Sequence, residues 1–305
     1  TDELAAPKPG NVHHFAGGHR MEAQDFISSA EAAAGSFPDA RVVRNAGNVV
    51  AQWSRELSGG PPVLIGGSAM PHALHREVSA AMGGALADRT QEVAALMRHK
   101  SAREFGLMRE ACATLTAAFA AMASASGARA AILAGEHAAH RRGAQDVRTL
   151  LSCDGGRTLV PLDSATGTTI DPSLVYAAVR HGGYWAEGFA GPTSTPTAAE
   201  RRARERLRAA LAMLRPGVHY AALATALADR SPHPVTARSA GNAIGLALAE
   251  EPLLAPGSTA ICEPGDVLSL RAGIADTGSC AIVSVMAAVT ADGSELLWCP
   301  PGVAP

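Results

Sequence analysis

Residues 241–252 read Gly241-Asn242-Ala243-Ile244-Gly245-Leu246-Ala247-Leu248-Ala249-Glu250-Glu251-Pro252, and the fold turns on what surrounds this stretch. Its apolar run, 244–249, is short and bounded by glycine and proline, which predicts a buried strand. Downstream, 266–270, 281–289 and 296–299 have the same strand character, and Ala291-Asp292-Gly293 marks a hairpin between the last two. Upstream, the charged segment 198–214 predicts a helix stopped by Pro216-Gly217, and 220–229 predicts another. Further back, 147–153, 159–162 and 174–179 predict short strands. Residues 91–99, 102–126 and 129–143 predict helices, with Leu107, Met108, Ala111, Leu115 and Ala118 at helical spacing. In the first ninety residues, 21–35, 42–57 and 72–82 read as helices, while 63–65 and 85–87 read as strands. Helices and strands in this order predict an α+β fold rather than a doubly wound parallel sheet. The boundary falls between Asp88 and Lys100, giving an N-terminal α/β domain over 1–95 and a larger domain over 96–305.

Composition narrows the function classes. The 305 residues are 47% apolar and 18% charged, with a formal charge of -2, so the chain can bury a sizeable core and is not disordered by composition. A nucleic-acid protein would carry a strongly basic face, and the run Arg201-Arg202-Ala203-Arg204-Glu205-Arg206-Leu207-Arg208 reads as a solvated helix face. The five cysteines (Cys112, Cys153, Cys262, Cys280, Cys299) are scattered, which fits neither a disulfide framework nor a structural zinc site. His72 and His75, like His137 and His140, are i,i+3 pairs without a third ligand at a recognisable interval. The stretch 111–128 is alanine, threonine and serine and reads as a buried helix, not a membrane span. No secretory signal is visible at the N-terminus, and the expected compartment is the cytoplasm.

Four pieces, in register over about 86–297, resemble the creatinase, aminopeptidase P and methionine aminopeptidase family. Lys100-Ser101-Ala102-Arg103-Glu104-Phe105 with Met108-Arg109-Glu110-Ala111 is similar to its entry helix. Gly183-Tyr184-Trp185-Ala186-Glu187 resembles its G-Y-x-A-D strand turn, and Arg215-Pro216-Gly217-Val218 its R-P-G-V. Gly241–Leu246, Glu251-Pro252, Pro264-Gly265-Asp266-Val267 and Val289-Thr290-Ala291-Asp292-Gly293 resemble its G-H-G-I-G-L, E-x-P, P-G-M-V and V-T-x-D-G series. The resemblance implies a pita-bread catalytic domain, here behind a reduced N-terminal domain, and a homodimer. A second resemblance covers the first forty residues. Pro7-Lys8-Pro9-Gly10-Asn11-Val12-His13, Gly18-His19-Arg20-Met21 and Asp25–Ala30 are similar to the opening of triphosphoribosyl-dephospho-CoA synthases, whose later N-T-N-L-G-type nucleotide motif does not occur in this chain.

The departures from the first family bear directly on chemistry. Its two-metal site uses two aspartates, a histidine and two glutamates, in keeping with the oxygen-rich preference of hard cations. The corresponding positions here are Tyr176–Ala177, Glu187, Asn242, Arg271 and Ser284. The family's catalytic histidines fall on Ala249 and near Thr168–Thr169. One carboxylate survives and a guanidinium stands among the rest, so the resemblance implies a site without metal and without metallopeptidase activity.

The polar groups left in this altered site are Glu187, Asn242, Glu250, Arg271 and Ser284, with Tyr176, His181 and Thr168 nearby. In one reading Arg271 grips a substrate carboxylate and Glu187 or His181 moves a proton. In the other, Arg271 and Glu187 form a buried ion pair that fills the vacated metal site. The expectation drawn from the first is a metal-independent, creatinase-like enzyme, free of cofactors, that cleaves a C–N bond in a small carboxylate- or amide-bearing molecule. Glu187 and His181 are then catalytic, and Arg271, Asn242, Glu250, Ser284 and Tyr176 bind the substrate. The rival is a non-catalytic binding module, whose mark is an Arg271–Glu187 pair closed to solvent with no cavity beside it. A third reading, a nucleotide-using transferase, rests on the N-terminal resemblance.

Overall fold

The computed structural model describes residues 62–165, 171–191 and 196–300, together with Gly47, Val50, Ala51 and Ser54. The helix expected over 21–35 and the segment similar to the synthases lie outside these residues, as does most of the helix expected over 42–57. The chain divides into two compact units, Thr1–Val93 and Ala94–Pro305. In the first, β1 (Val63–Leu64) pairs in parallel with β2 (Ala87–Asp88), and α1 (His72–Ala81) connects them. A helix, α2 (Thr90–Arg98), follows.

The second unit starts from a well-defined helix end. Ser101 caps α3 (Ala102–Ala123) in a reciprocal box with Glu104: the Glu104 amide donates to Ser101 Oγ and the Ser101 amide donates to Glu104 Oε2. Met108, Ala111, Cys112, Leu115, Ala118 and Met122 form the buried stripe of α3, and α4 (Ala128–Arg141) packs beside it. Helix packing on small side chains explains the alanine-rich composition here. These helices cover one face of a three-stranded antiparallel sheet, β3 (Asp146–Ser152), β4 (Leu174–His181) and β5 (Tyr184–Ala190). The β4–β5 hairpin closes on Gly182 and Gly183, both with positive φ (58° and 89°), as a tight two-residue turn demands. The turn expected at Gly183–Glu187 is therefore the head of a full strand, and every residue of β5 is buried.

A five-stranded antiparallel sheet follows α5 (Ala198–Met213) and α6 (Tyr220–Leu227). It runs β10-β9-β8-β6-β7, with β6 Gly241–Ala243, β7 Glu250–Leu253, β8 Val267–Ala275, β9 Cys280–Val289 and β10 Ser294–Trp298. Its faces separate by the two-residue period of a strand. Leu268, Leu270, Ala272 and Ile274 of β8, with Val283, Val285 and Ala287 of β9, pack against α5 and α6. The alternate positions, Ser269, Arg271 and Gly273 facing Met286, Ser284 and Ile282, form the opposite face. That face meets β5: the Glu187 amide donates to Met286 Sδ (3.3 Å) and the Phe189 amide to Ser284 Oγ (2.8 Å).

Two expected strands are corrected. Over 159–162 there is only an isolated bridge, Leu151 to Val160, before a 3-10 turn at Leu162–Ser164; Pro161 cannot donate to a ladder. The run 244–249 is a bend between β6 and β7, because its backbone is spent on other partners. Gly245 accepts from the Trp185 amide (2.8 Å) and donates to Ala247 (3.1 Å). The bend folds over a buried ion pair: Lys100 Nζ donates to Glu250 Oε2 at 2.8 Å, with side chains 2% and 7% exposed. Among the described residues, no helix is long and apolar enough to cross a membrane.

Gly245 lies against that pair, and a Cβ there would come within 2.8 Å of Lys100 Nζ and 2.9 Å of Glu250 Oε1. Gly245→Ala is expected to push the ends of these two side chains aside and, because the pair is buried, to lower unfolding free energy by about 1 kcal/mol in urea denaturation.

Candidate functional site

The site lies between the two sheets of the second unit. Tyr176 of β4 and Glu187 of β5 share one face, because Ala178 pairs with Glu187 and Tyr176 with Phe189. Asn242 and Arg271 come from the facing sheet, on β6 and β8. Arg271 Nη2 donates to Glu187 Oε1 and to Asn242 Oδ1 (2.6 Å). The other carboxylate oxygen, Glu187 Oε2, accepts from Tyr176 Oη at 2.8 Å. The Asn242 amide is oriented by its Nδ2, which donates to the carbonyls of Ala243 (2.7 Å) and Leu248 (3.2 Å). Its oxygen is thereby left facing the guanidinium.

The surroundings favour a charged pair held in place. The Glu187 side chain is 3% exposed and that of Arg271 15%; an ion removed from water this far must be matched. The Phe189 ring lies 6.0 Å from the Arg271 guanidinium carbon and 4.7 Å from the Tyr176 ring, which adds a cation–π contact to the pair. Burial first, and then the neighbouring Glu187 carboxylate, push the Tyr176 phenol pKa up, so this hydroxyl is a neutral donor. Among the described residues Arg271 Nε is buried without a hydrogen-bond partner. A cavity of about 110 Å³ adjoins Arg271, walled by Leu227, Pro232, Thr236, Ala240 and Gly273.

The sequence-derived set is thus partly assembled. Glu187, Arg271, Asn242 and Tyr176 form one network. Ser284 is fully buried beside it, and its hydroxyl accepts from the Phe189 amide, tying β5 to β9. Two residues are elsewhere. His181 lies on the other face of β4, where Nδ1 meets Thr114 Oγ1 of α3 at 3.3 Å; an odd-numbered position on this strand points away from Glu187. Glu250 is committed to Lys100 and to the Ala247 amide (3.1 Å). Thr168 lies outside the described residues. Phe189, absent from the sequence-derived set, is two residues beyond Glu187 on one strand, and strand periodicity alone would have placed it beside the site. Burial pushes the Cys112 thiol up to about 12 and raises that of Cys153, so neither is an activated thiolate.

Residues 73–291 match the family described as metallopeptidase family M24. The chain belongs to family M24. Residues 1–60 match a second family, ATP:dephospho-CoA triphosphoribosyl transferase. Three solved structures illustrate the shared fold. The prolidase from Pyrococcus horikoshii OT3 superposes with a TM-score of 0.68 at 17% identity, covering 84% of this chain and 79% of that one. The X-Pro aminopeptidase from Thermotoga maritima MSB8 gives 0.65 at 16% identity, covering 84% and 78%. The dipeptidase PepE from Mycobacterium ulcerans gives 0.64 at 20% identity, covering 82% and 72%. No curated protein sequence matches the chain. The second unit is accordingly a pita-bread domain of an M24 protein.

The M24 description implies metal, and the donor set at this site does not fit one. Among the described residues no three His, Cys, Asp or Glu side chains are grouped to hold an ion. The single carboxylate of the network is already neutralised by a guanidinium that would repel a cation.

Removing one partner of such a pair strands a charge, whereas removing both does not. Glu187→Gln and Arg271→Met alone are each expected to cost about 3 kcal/mol or more in denaturant unfolding, and the double variant markedly less than their sum. Additive losses would mean that the two side chains do not act as a pair.

Proposed function

We propose that this M24 protein is a metal-free, non-catalytic relative of the peptidases: a pita-bread binding module whose former reaction centre is closed by an internal ion pair. The observation that carries the reading is the state of Glu187, whose two oxygens are both engaged, one by Arg271 and the other by Tyr176. A general acid or base must reach the proton it transfers, and this carboxylate has no open approach. Its companion in the expected proton transfer, His181, hydrogen-bonds Thr114 on the other side of the sheet. In this reading the protein acts in the cytoplasm as a homodimer and its partner is a small molecule.

Of the two marks expected of a binding module, the buried pair is present, but the absence of a cavity beside it is not met, because about 110 Å³ of space adjoins Arg271. That space favours a second reading, in which a small carboxylate- or amide-bearing substrate enters there and its C–N bond is cleaved without metal. At about 110 Å³ the space is smaller than the roughly 300–1,000 Å³ of ordinary ligand sites, so only a compact molecule suits it.

Turnover separates the readings. The purified full chain is to be incubated with Xaa-Pro dipeptides and with small acyl-amino acids and guanidino acids, with and without manganese or zinc. Release of product no faster than in enzyme-free controls is the expected result. Metal-dependent hydrolysis would overturn the metal-free assignment, and metal-independent hydrolysis by the wild type, lost in Glu187→Gln at a temperature where circular dichroism shows that variant folded, would establish the second reading over the first.

A further inference from the structure

We propose that Glu187, Asn242, Tyr176 and Phe189 form a guanidinium-selective cation site, occupied in this chain by its own Arg271, and that this internal cation cross-links the two sheets. The inference deepens the preceding reading and rests on its closed ion pair.

Charge decides against a metal ion in this cradle. Its acceptors are one carboxylate and one amide oxygen, with the Tyr176 phenol donating to the carboxylate, so its formal charge of minus one is cancelled by a single monocation. A divalent ion would leave positive charge uncompensated in a position where Glu187 is 3% exposed, and hard divalent ions take about six oxygen ligands. Geometry then selects among monocations. Glu187 Oε1 and Asn242 Oδ1 accept from the same nitrogen, Arg271 Nη2, with the Asn242 oxygen preset by the two carbonyls that hold its Nδ2; an ammonium could serve these two acceptors as well, so the choice falls to the aromatic face. The Phe189 ring, braced by Tyr176, offers an aromatic face 6.0 Å from the guanidinium carbon. Planar, weakly hydrated guanidinium suits such a face, while a compact ammonium keeps its water more tightly.

The cradle also spans the structure. Tyr176, Glu187 and Phe189 stand on β4 and β5, whereas Asn242 and Arg271 stand on β6 and β8 of the other sheet. Arg271 therefore joins strands that share no ladder. Among the described residues Arg271 Nε is buried without a hydrogen-bond partner, so the side chain is held through Nη2 alone.

Arg271→Ala in the full chain vacates the site and leaves the cradle intact, and methylguanidinium at about 20 mM is the probe. The expected result is a melting temperature well below that of the wild type in buffer, raised by about 4 °C or more with methylguanidinium. Equal concentrations of sodium, methylammonium or manganese are expected to give no rise, and the wild type and Glu187→Gln/Arg271→Met are expected to give no response to methylguanidinium. If the alanine variant does not fold in buffer, refolding yield is the readout, and recovery with methylguanidinium but not methylammonium carries the same meaning. The proposal is overturned if the variant melts like the wild type, if methylguanidinium gives no recovery, or if manganese recovers it as well. A peptidase activity found in the wild type would count against the function proposed above without touching this result.

Discussion

A charge buried in protein must meet its opposite, and in this molecule that requirement falls on one carboxylate and one guanidinium placed between two sheets. Glu187 arrives on a strand whose residues are all buried, so its carboxylate has no route to bulk water. Arg271 reaches it from the facing sheet, on the polar face of β8. The other face of β8, lined by Leu268, Leu270, Ala272 and Ile274, is fixed against helices. Strand register therefore sets the position of the guanidinium: a slip of one residue would bury Arg271 among leucines and expose apolar side chains to the site.

The same constraint explains the residues around the pair. Tyr176 supplies the hydrogen bond that the second carboxylate oxygen requires, and Asn242 supplies a neutral acceptor for the guanidinium. Ser284 holds the β5 backbone at the distance that lets these side chains meet. A second buried pair, Lys100 with Glu250, pins the bend after β6 in the same manner. Both pairs connect segments far apart in sequence. In this M24 domain one buried pair joins the two sheets and the other ties the start of α3 to β7.

The sequence made the fold legible where local rules dominate. The apolar stripe of α3, the hairpin after Val289 and the strands on either side of it all follow from spacing and turn chemistry. The family itself was readable from glycine and proline motifs, which mark backbone constraints that outlast changes in the side chains. Reading failed at the bend 244–249, where an apolar run resembles a strand until the Trp185 amide and the Lys100–Glu250 pair claim its backbone; such partners are invisible to a local window. It failed at His181 as well, since proximity along the chain to Glu187 says nothing about which face of a strand a residue occupies. The pairing of Arg271 with Glu187 stood as one of two open readings, because sequence names both residues but not the hydrogen bonds that use up the carboxylate.

The central claim is that a side chain holds the place where the M24 description implies metal. The most direct measurement is an anomalous-scattering crystal structure of the full chain grown with excess manganese. The account predicts planar density for Arg271 between Glu187 and Asn242, with no anomalous peak between the sheets. A fully occupied manganese peak on Glu187, with Arg271 turned away, would contradict it.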